Sequence, residues 1–515
     1  MKSRKMMLTL ATLMLASTTA LAGCGGDNGG GNANAPKNEA GNAGSNAAGE
    51  KNAGSEGEAK LDPVKLKVYM IGGPQRDLPQ VQDEMNKYLT EKINATVDIT
   101  MIDWGDYSKR MQVITTSGEN FDIAFTSSWA FDYLPNATRG AFMPINDLLD
   151  KYGQGIKENL DPRFLSGSQI DGKNYAVPVN KELASQWVWR FNKQYVDKYK
   201  IDVTKIRTLE DLEPYLKQIK NGEPADITPL AVPKGFKPYV PFDFLLGDEF
   251  PVGINLNDKE GRYVNILESA ELKSSLATIR KYYQAGYLRK DVATLDGIDN
   301  IKTGKWFADR EQTQPYADLG WSRSAGYDIV SNPMQDPVIF TGSATGAMHA
   351  ISANSKNPER AMMFLNLLNT DPYLRNLINY GIEGTHYKKL SDNVIEDLPA
   401  MKDGFQMPGF ALGNLFLTYL HKEDPADKWD AFKKFNDSAI VAPSFGFNFN
   451  PDPVKTEVAS ISAIVKEFYP SIMTGSVDPD EYLPKAIEKL KAAGLDKVIA
   501  EAQKQFDDWK AANGK

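Results

Sequence analysis

Alternation of short apolar strands with amphipathic helices, from residue 64 onward, is the feature that most constrains the fold of this chain. The stretch VKLKVYMI (64–71) alternates apolar and polar residues and ends at Gly72-Gly73-Pro74, which predicts a strand and a turn. It is followed by a helical pattern, a strand, a second helical pattern and a third strand, in LPQVQDEMNKYLTEKI (78–93), ATVDITMID (95–103), YSKRMQVITTSG (107–118) and FDIAFTSS (121–128). This order predicts a parallel α/β sheet with ligands bound beyond the carboxyl ends of its strands.

The first residues of the chain have the pattern of a secretory signal peptide. A basic start precedes an apolar run over residues 6–22, which is too short for a membrane span. Leu21-Ala22-Gly23-Cys24 resembles the lipobox of bacterial lipoproteins. That resemblance implies cleavage before Cys24 and lipidation of its thiol, and so a protein anchored at the extracellular face of a cell membrane, of the Gram-positive type. An ordinary secretion signal that happens to end near a cysteine is the alternative.

Residues 25–60 consist almost entirely of Gly, Asn, Ala, Ser, Glu and Lys. No apolar face recurs in this segment, so it cannot offset the entropy lost on ordering. We therefore expect a disordered tether over residues 24–60, counted from the lipidated cysteine, with the folded body beginning near Leu61. Proteolysis should accordingly leave a stable core that starts near this residue.

The charge and cysteine content narrow the class of protein. Of the 59 basic residues, three lie in residues 1–23, which leaves 56 against 67 acidic residues and a net charge of −11 for the mature chain. This balance argues against nucleic acid as a partner. Cys24 is the only cysteine, so the folded body depends on its core and contains no disulfide.

Several segments, taken in order, resemble one known family. They are DGKNYAVP (171–178), Asn192-Lys193 after QWVWRF, GAMHAISANSKNPERAMMFLNLLNTD (346–371), NYGIEGTHYKK (379–389) and FNFNPDPVKTEVASI (447–461). The chain resembles the extracellular solute-binding proteins of ATP-binding-cassette (ABC) importers, of the large carbohydrate-binding type related to maltose-binding protein. The last two segments resemble a subset with an extra C-terminal module. Phe191 departs from the tyrosine of the family's YNK element.

This resemblance implies a two-lobe α/β fold of the periplasmic-binding-protein type (type II), with hinge strands between the lobes. Lobe one is expected over 62–178 plus 345–388, and lobe two over 184–340 plus 390–515. We expect the hinge to include Val177–Leu183 and to bend just after Pro178, at 179–181. The C-terminal segment is predicted to be helical, with an apolar stripe packed in the core, formed by Leu495, Val498, Ile499, Ala502, Phe506 and Trp509.

Motifs of common catalytic sites are absent from the sequence. It contains no Gly-Lys-Ser/Thr phosphate loop, no His-Glu-x-x-His and no Gly-x-Ser-x-Gly. The three histidines are widely separated, and His349 is expected in the core. The asparagine- and aspartate-rich segments NLNDKEGRY (255–263) and NFNPDP (448–453) lack the EF-hand register and are interpreted as turns. We therefore predict a protein without catalytic residues, cofactor or metal.

Candidate ligand-binding residues follow from the chemistry of sugars. Aromatic rings pack against the apolar C–H faces of a sugar, while carboxylates, carboxamides and arginine bind its hydroxyls. We select such residues at strand ends and near the crossing between lobes: Asp103, Trp104, Trp129, Asn180, Lys181, Glu182, Trp187, Arg190, Asp243, Trp321 and His386.

Structural roles compete with binding at several of these positions. Because Trp187 and Trp189 alternate on one strand, one of them is expected in the core. Asp243 can equally cap a helix, and Arg190 can pair with a structural carboxylate. Trp306 and Trp429 are interpreted as core or surface residues.

The sequence favours a membrane-anchored monomer that captures a carbohydrate, in the form of an oligosaccharide or a decorated sugar, and delivers it to the permease subunits of an ABC importer. Two alternatives remain at this stage. A secreted carbohydrate-active hydrolase needs a pair of carboxylates at a scissile bond, which the abundant acidic residues do not exclude. A ligand-presenting sensor for a membrane kinase needs the same binding cleft.

Overall fold

The computed structural model describes residues 61–297 and 300–514, which lie in one compact unit. The predicted signal peptide, Cys24 and the predicted tether lie outside the described residues. The first part of the body contains β1 (Val64–Ile71), α1 (Leu78–Ile93), β2 (Ala95–Ile102), α2 (Tyr107–Thr116), β3 (Ile123–Thr126), α3 (Tyr133–Thr138), α4 (Asn146–Tyr152), α5 (Gln154–Asn159), α6 (Pro162–Gly167) and β4 (Ala176–Pro178).

The middle part begins at the strand QWVWRFN. Its elements are β5 (Gln186–Asn192), α7 (Lys193–Tyr199), α8 (Glu213–Gly222), β6 (Thr228–Leu230), β7 (Phe242–Phe244), β8 (Val252–Asn255), β9 (Tyr263–Asn265), α9 (Ala270–Gln284), α10 (Asn300–Thr303), β10 (Trp306–Thr313), α11 (Ala317–Ala325), β11 (Ile329–Pro333) and β12 (Val338–Ile339).

The last part returns twice across the molecule. It contains α12 (Thr341–Ala344), β13 (Met348–Ile351), α13 (Pro358–Thr370), α14 (Pro372–Tyr380), β14 (Tyr387–Lys389), β15 (Val394–Asp397), α15 (Pro399–Asp403), β16 (Leu420–His421), α16 (Lys428–Asp437), β17 (Ile440–Val441), α17 (Lys455–Met473), α18 (Pro479–Ala492) and α19 (Leu495–Ala512).

A five-stranded sheet in the order β2-β1-β3-β13-β4 forms the centre of lobe one. Strand β1 pairs in parallel with β2 and with β3, which confirms the predicted parallel opening. Strand β13 arrives more than 200 residues later and pairs antiparallel with both β3 and β4. The sheet is therefore completed only when the chain comes back from lobe two.

Lobe two is built on a four-stranded sheet in the order β11-β5-β10-β6. Strand β5 runs antiparallel to β10 and β11, while β10 and β6 are parallel. Two three-stranded sheets, β7-β8-β9 and β14-β15-β16, and the parallel pair β12-β17 complete the strand pairing. The α/β architecture with two lobes and a helical C-terminal segment is confirmed.

Two large apolar cores define the extent of each lobe. The core of lobe one contains buried residues from Leu66 to Ala184 and from Ile339 to Leu412, together with Phe445. The core of lobe two contains residues from Trp189 to Ala308 and from Phe447 to Phe506. The chain thus crosses between cores three times.

The positions of these crossings differ from the predicted lobe boundaries. The final return was expected between 388 and 390, but Phe405 and Leu412 are buried in the core of lobe one, so that return falls near residue 446. The first hinge also differs. The Val179 N–H donates to the Ala347 carbonyl and the Asn180 N–H to the Gly413 carbonyl, which fixes 179–180 to lobe one, and the crossing follows Ala184.

The C-terminal helices pack on lobe two, and the predicted apolar stripe of the last helix faces the core of that lobe. Leu495, Val498, Ala502 and Phe506 are buried in its core, and Trp509 packs at the edge against Phe506, with 5.7 Å between ring centroids. Among the described residues, none of the helices has the length and apolarity that a membrane crossing requires, and no cluster of three or more potential metal-ligating His, Cys, Asp or Glu side chains occurs.

The loop of lobe one after Leu412 contains a glycine that no other residue can replace without strain. Gly413 has a φ of +26°, and a Cβ there would lie 2.3 Å from the Leu368 carbonyl oxygen. We expect Gly413→Ala to lower the apparent melting temperature measured by circular dichroism, because backbone atoms cannot yield as a side chain can; overpacking of this kind costs about 1–3 kcal/mol. Gly118→Ala is the matched control, since Gly118 has a φ of +73° but no atom within 4 Å of its Cβ position. Equal melting temperatures for the two variants would contradict this reasoning.

Candidate ligand-binding cleft

Two adjoining cavities lie where the strand ends of the two lobes face each other. The larger has a volume of about 570 Å³ and the smaller about 330 Å³. They share four lining residues, which are Gln314, His421, Lys428 and Phe432. The two cavities therefore form one continuous cleft.

The cleft is lined by segments that follow parallel strands, as expected for an open α/β sheet. Lobe one contributes Gly72 and Gly73 after β1 and Trp104 after β2. Lobe two contributes Gln314 directly after β10, and the smaller cavity continues along α11 to Trp321. The loops after β1 and β2 meet because the carboxyl ends of these parallel strands share one edge of the lobe-one sheet, and the end of β10 faces them from lobe two.

Three exposed aromatic rings form what we call the aromatic platform, made of Trp104, Trp129 and Phe410. The centroids of Trp104 and Trp129 are 6.3 Å apart at an interplanar angle of 22°, and those of Trp104 and Phe410 are 6.1 Å apart at 23°. The three residues are 46%, 53% and 37% exposed, respectively. A cluster of stacked apolar rings left open to solvent marks a binding surface.

Polar contacts hold the rings of the platform in place. The Trp129 indole N–H donates to the Gly346 carbonyl at 2.7 Å. The loop that carries Phe410 is held by Arg375, whose guanidinium donates to the Gly409 carbonyl at 2.9 Å and to Asn379 at 2.8 Å. Burial lowers the pKa of Arg375 to about 10, so it remains charged at neutral pH.

Gln75 joins the first strand turn to the same loop. Its amide nitrogen donates to the Gly73 carbonyl at 3.1 Å, and its carbonyl oxygen accepts from the Gln406 N–H at 2.9 Å. Gln75 and Gln406 both line the larger cavity. The floor of the cleft is consequently cross-linked within lobe one, between the turn after β1 and the loop that carries Phe410.

Charged side chains surround the smaller cavity. Lys428 donates to Asp424 at 2.8 Å, and the carboxylate of Asp424 lies 3.9 Å from Arg323. Burial alone would raise the pKa of Asp424, but the hydrogen bond and charge of Lys428 and the hydrogen bond from the His421 N–H together outweigh it and lower the pKa. Beside them, Tyr316 donates its hydroxyl to Asp427 at 2.8 Å and links the start of α11 to the start of α16.

The structure brings part of the predicted site to the cleft. Trp104 and Glu182 line the larger cavity, and Trp321 lines the smaller one. Asp103 lies beside the lining residue Gly73. A Cβ atom added to Gly73 would lie 3.9 Å from the Asp103 carboxylate. Trp129 belongs to the aromatic platform. Lys181 forms an ion pair with Glu182 at 2.5 Å, so the two act together.

Four other candidates are buried and have internal partners. Asn180 donates to the Asn159 carbonyl at 2.8 Å. Arg190 forms a two-point ion pair with Asp309, at 2.9 and 2.6 Å, and burial raises the pKa of that aspartate to about 6. Burial separates these residues from the two cavities in the described conformation.

Asp243 and His386 are also internal. Asp243 accepts hydrogen bonds from the backbone and hydroxyl of Ser444, and burial raises its pKa. His386 is fully buried and its Nδ1 accepts from the Ile382 N–H at 2.9 Å. Neither lines the cleft, because Asp243 bonds Ser444 just before the third crossing and His386 bonds the backbone within lobe one.

Trp187 lies on lobe two outside the two cavities, with the Arg310 guanidinium 4.0 Å from its ring centroid. Trp189, two residues further along the same strand, is 1% exposed and packs in the core, as expected for one of these two tryptophans. Trp306 is a core residue, but Trp429, interpreted from sequence as core or surface, lines the larger cavity.

Sequence reasoning missed several lining residues, of which Phe410 is the most informative. Its only local signal is the turn dipeptide Pro408-Gly409 directly before an aromatic residue. Gln75, Gln314, Asn379 and His421 were missed as well, because ordinary polar residues carry no pattern that marks a cleft.

Comparison with known proteins identifies the class to which this cleft belongs. Residues 75–373 match the model of the bacterial extracellular solute-binding proteins, and residues 443–511 match a domain of unknown function (DUF3502). A carbohydrate ABC transporter substrate-binding protein of Streptococcus pneumoniae serotype 4 (strain ATCC BAA-334 / TIGR4) is 38% identical over 454 residues, covering 87% of this chain and 91% of the relative. The chain therefore belongs to the bacterial extracellular solute-binding proteins.

Solved structures extend this likeness to three dimensions. The N-glycan transport solute-binding protein NgtS of Streptococcus pneumoniae is 38% identical and superposes with a TM-score of 0.81, over 87% of this chain and 98% of that chain. The complex of NgtS with Man5GlcNAc, over the same shares, gives a TM-score of 0.70. The fold of this chain is that of a two-lobe carbohydrate-binding protein.

A buried histidine beneath the aromatic platform makes the stability of lobe one depend on pH. His349 packs edge-on against Phe125, which in turn contacts Trp129, and burial lowers the pKa of His349 to about 4. Because its ordinary pKa is 6.5, the unfolded chain binds a proton first as pH falls. Stability is fully present above pH 6.5 and is lost progressively down to about pH 4.

We expect urea unfolding to show a loss of about 2–3 kcal/mol from this group between pH 7.5 and pH 4.5. His349→Asn cannot titrate, and it should lose less stability over the same interval, while all other groups remain common to both proteins. An identical pH dependence in the parent and the variant would show that His349 does not contribute.

Proposed function

We propose that this chain captures an oligosaccharide of the N-glycan type in its cleft and delivers it to an ABC importer. The exposed aromatic platform at the carboxyl ends of the lobe-one strands is the observation that carries this proposal. The likeness to NgtS, a protein named for N-glycan transport, supports the choice of ligand class. Capture of a carbohydrate for import is the function of its relatives.

The chemistry of the cleft suits a sugar chain. The flat faces of Trp104, Trp129 and Phe410 match the apolar C–H faces of successive sugar rings. Gln314 is exposed at the junction of both cavities, where its amide can bind hydroxyls, while Gln75 and Asn379 line the larger cavity with amides that also bond neighbouring groups. A cleft lined by aromatic rings and amides suits a hydroxyl-rich chain.

Delivery requires the lobes to close over the ligand. The lobes are joined by three crossings, and closure occurs only if the ligand makes more contacts in the closed form than in the open one. The lower TM-score to the NgtS complex with Man5GlcNAc than to the other NgtS structure supports a difference in lobe arrangement between those two structures. We place the hinge of this chain at its crossings, including residues 185–188.

The two alternative functions are less well supported. The relative at 38% identity is a substrate-binding protein of an ABC transporter rather than a hydrolase, which argues against the hydrolase hypothesis. The same relative favours import over presentation to a membrane kinase. Permease genes next to the gene for this chain would agree with import.

Lipidation of Cys24 is proposed as the means by which the extracellular protein stays at the membrane. The lipobox-like residues 21–24 support it. A segment of 36 residues between Cys24 and Leu61 would then let the body reach ligands and permease from one anchor point.

Removing a platform ring should weaken oligosaccharide binding without unfolding the protein. For Trp104→Ala, Trp129→Ala and Phe410→Ala we expect a loss of about 1–3 kcal/mol each, by analogy with base–aromatic stacking, or roughly 5- to 150-fold in Kd. Calorimetric titration with Man5GlcNAc measures it. Tyr373→Ala is the control, because Tyr373 is 45% exposed on α14 but does not line the cleft. Parent-like affinity in all three variants would rule out the platform as the sugar site.

Replacing the lipobox cysteine tests the anchor separately. We expect the parent to partition with membranes and into the detergent-rich phase of Triton X-114, and Cys24→Ala to appear in the medium, because its thiol can no longer be acylated. Ser17→Ala, inside the apolar run of the signal, is the control and should behave like the parent. A parent protein found only in the medium would indicate an ordinary secretion signal.

A further inference from the structure

A cationic side chain between two aromatic rings lies on lobe two, near the end of β10, and we call it the Arg310 site. Its members are Arg310, Trp187 and Phe236. The Arg310 guanidinium lies 4.0 Å from the centroid of Trp187 and 5.2 Å from that of Phe236. Both rings are therefore within cation–π distance of the guanidinium.

Strand register places this site on the face of β5 and β10 that also carries the core residue Trp189, and the end of β10 leads from it toward the cleft. Arg310 pairs with Trp189 and Gln312 with Trp187 in the antiparallel ladder, so Trp187 and Arg310 project from the same face. Strand β10 ends at Thr313, and Gln314 already lines both cavities. Arg310 is thus four residues from the cleft, or about 13 Å along a strand.

No carboxylate of the described chain neutralises Arg310. Within residues 61–297 and 300–514 its guanidinium has no hydrogen bond and no ion pair, although the residue is half-buried. Asp248 contributes electrostatically but pairs with Lys237 at 2.8 Å, and Glu311 lies 3.5 Å from Arg190. Burial lowers the pKa of Arg310 to about 10, which leaves it charged at neutral pH.

Arg190, on the opposite face of the same two strands, provides the contrast. Its guanidinium makes a two-point pair with Asp309 and stacks on Trp321 at 4.8 Å. Each arginine contacts the face of a tryptophan, but only Arg190 also has a carboxylate partner inside the lobe. A half-buried cation without an anion costs free energy unless a ligand supplies the negative charge.

We propose that Arg310 binds the carboxylate of an acidic sugar residue, with Trp187 packing beside the sugar ring. This rests on the proposed function, and it adds that the preferred oligosaccharide carries a negative charge. The planar fork of a guanidinium fits a carboxylate through two parallel hydrogen bonds, whereas a neutral hydroxyl pair leaves the charge uncompensated. Specificity for acidic chains then resides in lobe two, while the aromatic platform of lobe one binds the neutral part.

The test compares matched glycans by calorimetric titration. The probes are a neutral biantennary N-glycan, the same glycan with terminal sialic acid, and a neutral oligosaccharide paired with its glucuronic-acid-terminated form, so that two sources of the carboxylate are distinguished. We expect the parent to bind at least one acidic form about tenfold more tightly than its neutral partner, as charge-assisted hydrogen bonds predict, and to lose this preference at high salt.

Variants assign the preference to Arg310. Arg310→Met should abolish the preference for acidic glycans while leaving affinity for the neutral glycan unchanged. Arg310→Lys should retain part of the preference, and it replaces the Met variant if that variant melts early. Arg207→Met, at an exposed arginine of the same lobe, controls for a change in net charge.

Three results would overturn the proposal. One is a parent that binds acidic and neutral forms equally, and another is an Arg310→Met variant that weakens both forms equally, which would make Arg310 a support for Trp187. The third is a parent that binds neither form, which would overturn the proposed N-glycan function as well. In the first two cases neutral binding persists, so the proposed function stands when only this inference fails.

Discussion

The antiparallel insertion of β13 between β3 and β4 is the constraint on which the rest of the structure depends. Its register, with His349 beside Phe125 and Val177, ties together three segments that are far apart in sequence. Because lobe one cannot complete its sheet without a strand that follows lobe two, the two lobes must be linked by more than one crossing. A cleft between them follows from this connectivity.

The aromatic platform depends on the same long-range assembly. Trp104 and Trp129 come from the first 130 residues, but the third ring, Phe410, is delivered by a loop whose position is set by the buried cation Arg375. That cation is buried at a cost, which its hydrogen bonds to Asn379 and the Gly409 carbonyl offset. Buried polar contacts therefore shape an exposed apolar surface, and binding geometry is coupled to the packing of lobe one.

The paired strands β5 and β10 illustrate how one sheet can use arginine in two ways. Arg190 is satisfied by Asp309 within the lobe and stabilises the sheet, whereas Arg310 lies between rings without an internal anion. The side chains are identical and lie in neighbouring register, so only their surroundings separate a structural cation from one open to a ligand. The strand pattern of the sequence predicted Arg190 as a ligand-binding residue, but it could not show that Asp309 already pairs with this arginine.

Periodicity and strand ends are local properties, so the parallel strand–helix opening, the packing stripe of the last helix and the tryptophans after β2 and β3 could be predicted from the sequence. The crossings between lobes, the internal positions of Asp243 and His386 and the contact of Phe410 with Trp104 became visible only in the folded structure. These outcomes depend on which distant groups satisfy a buried charge or hydrogen bond, and such pairings are set by three-dimensional packing rather than by neighbours in the chain.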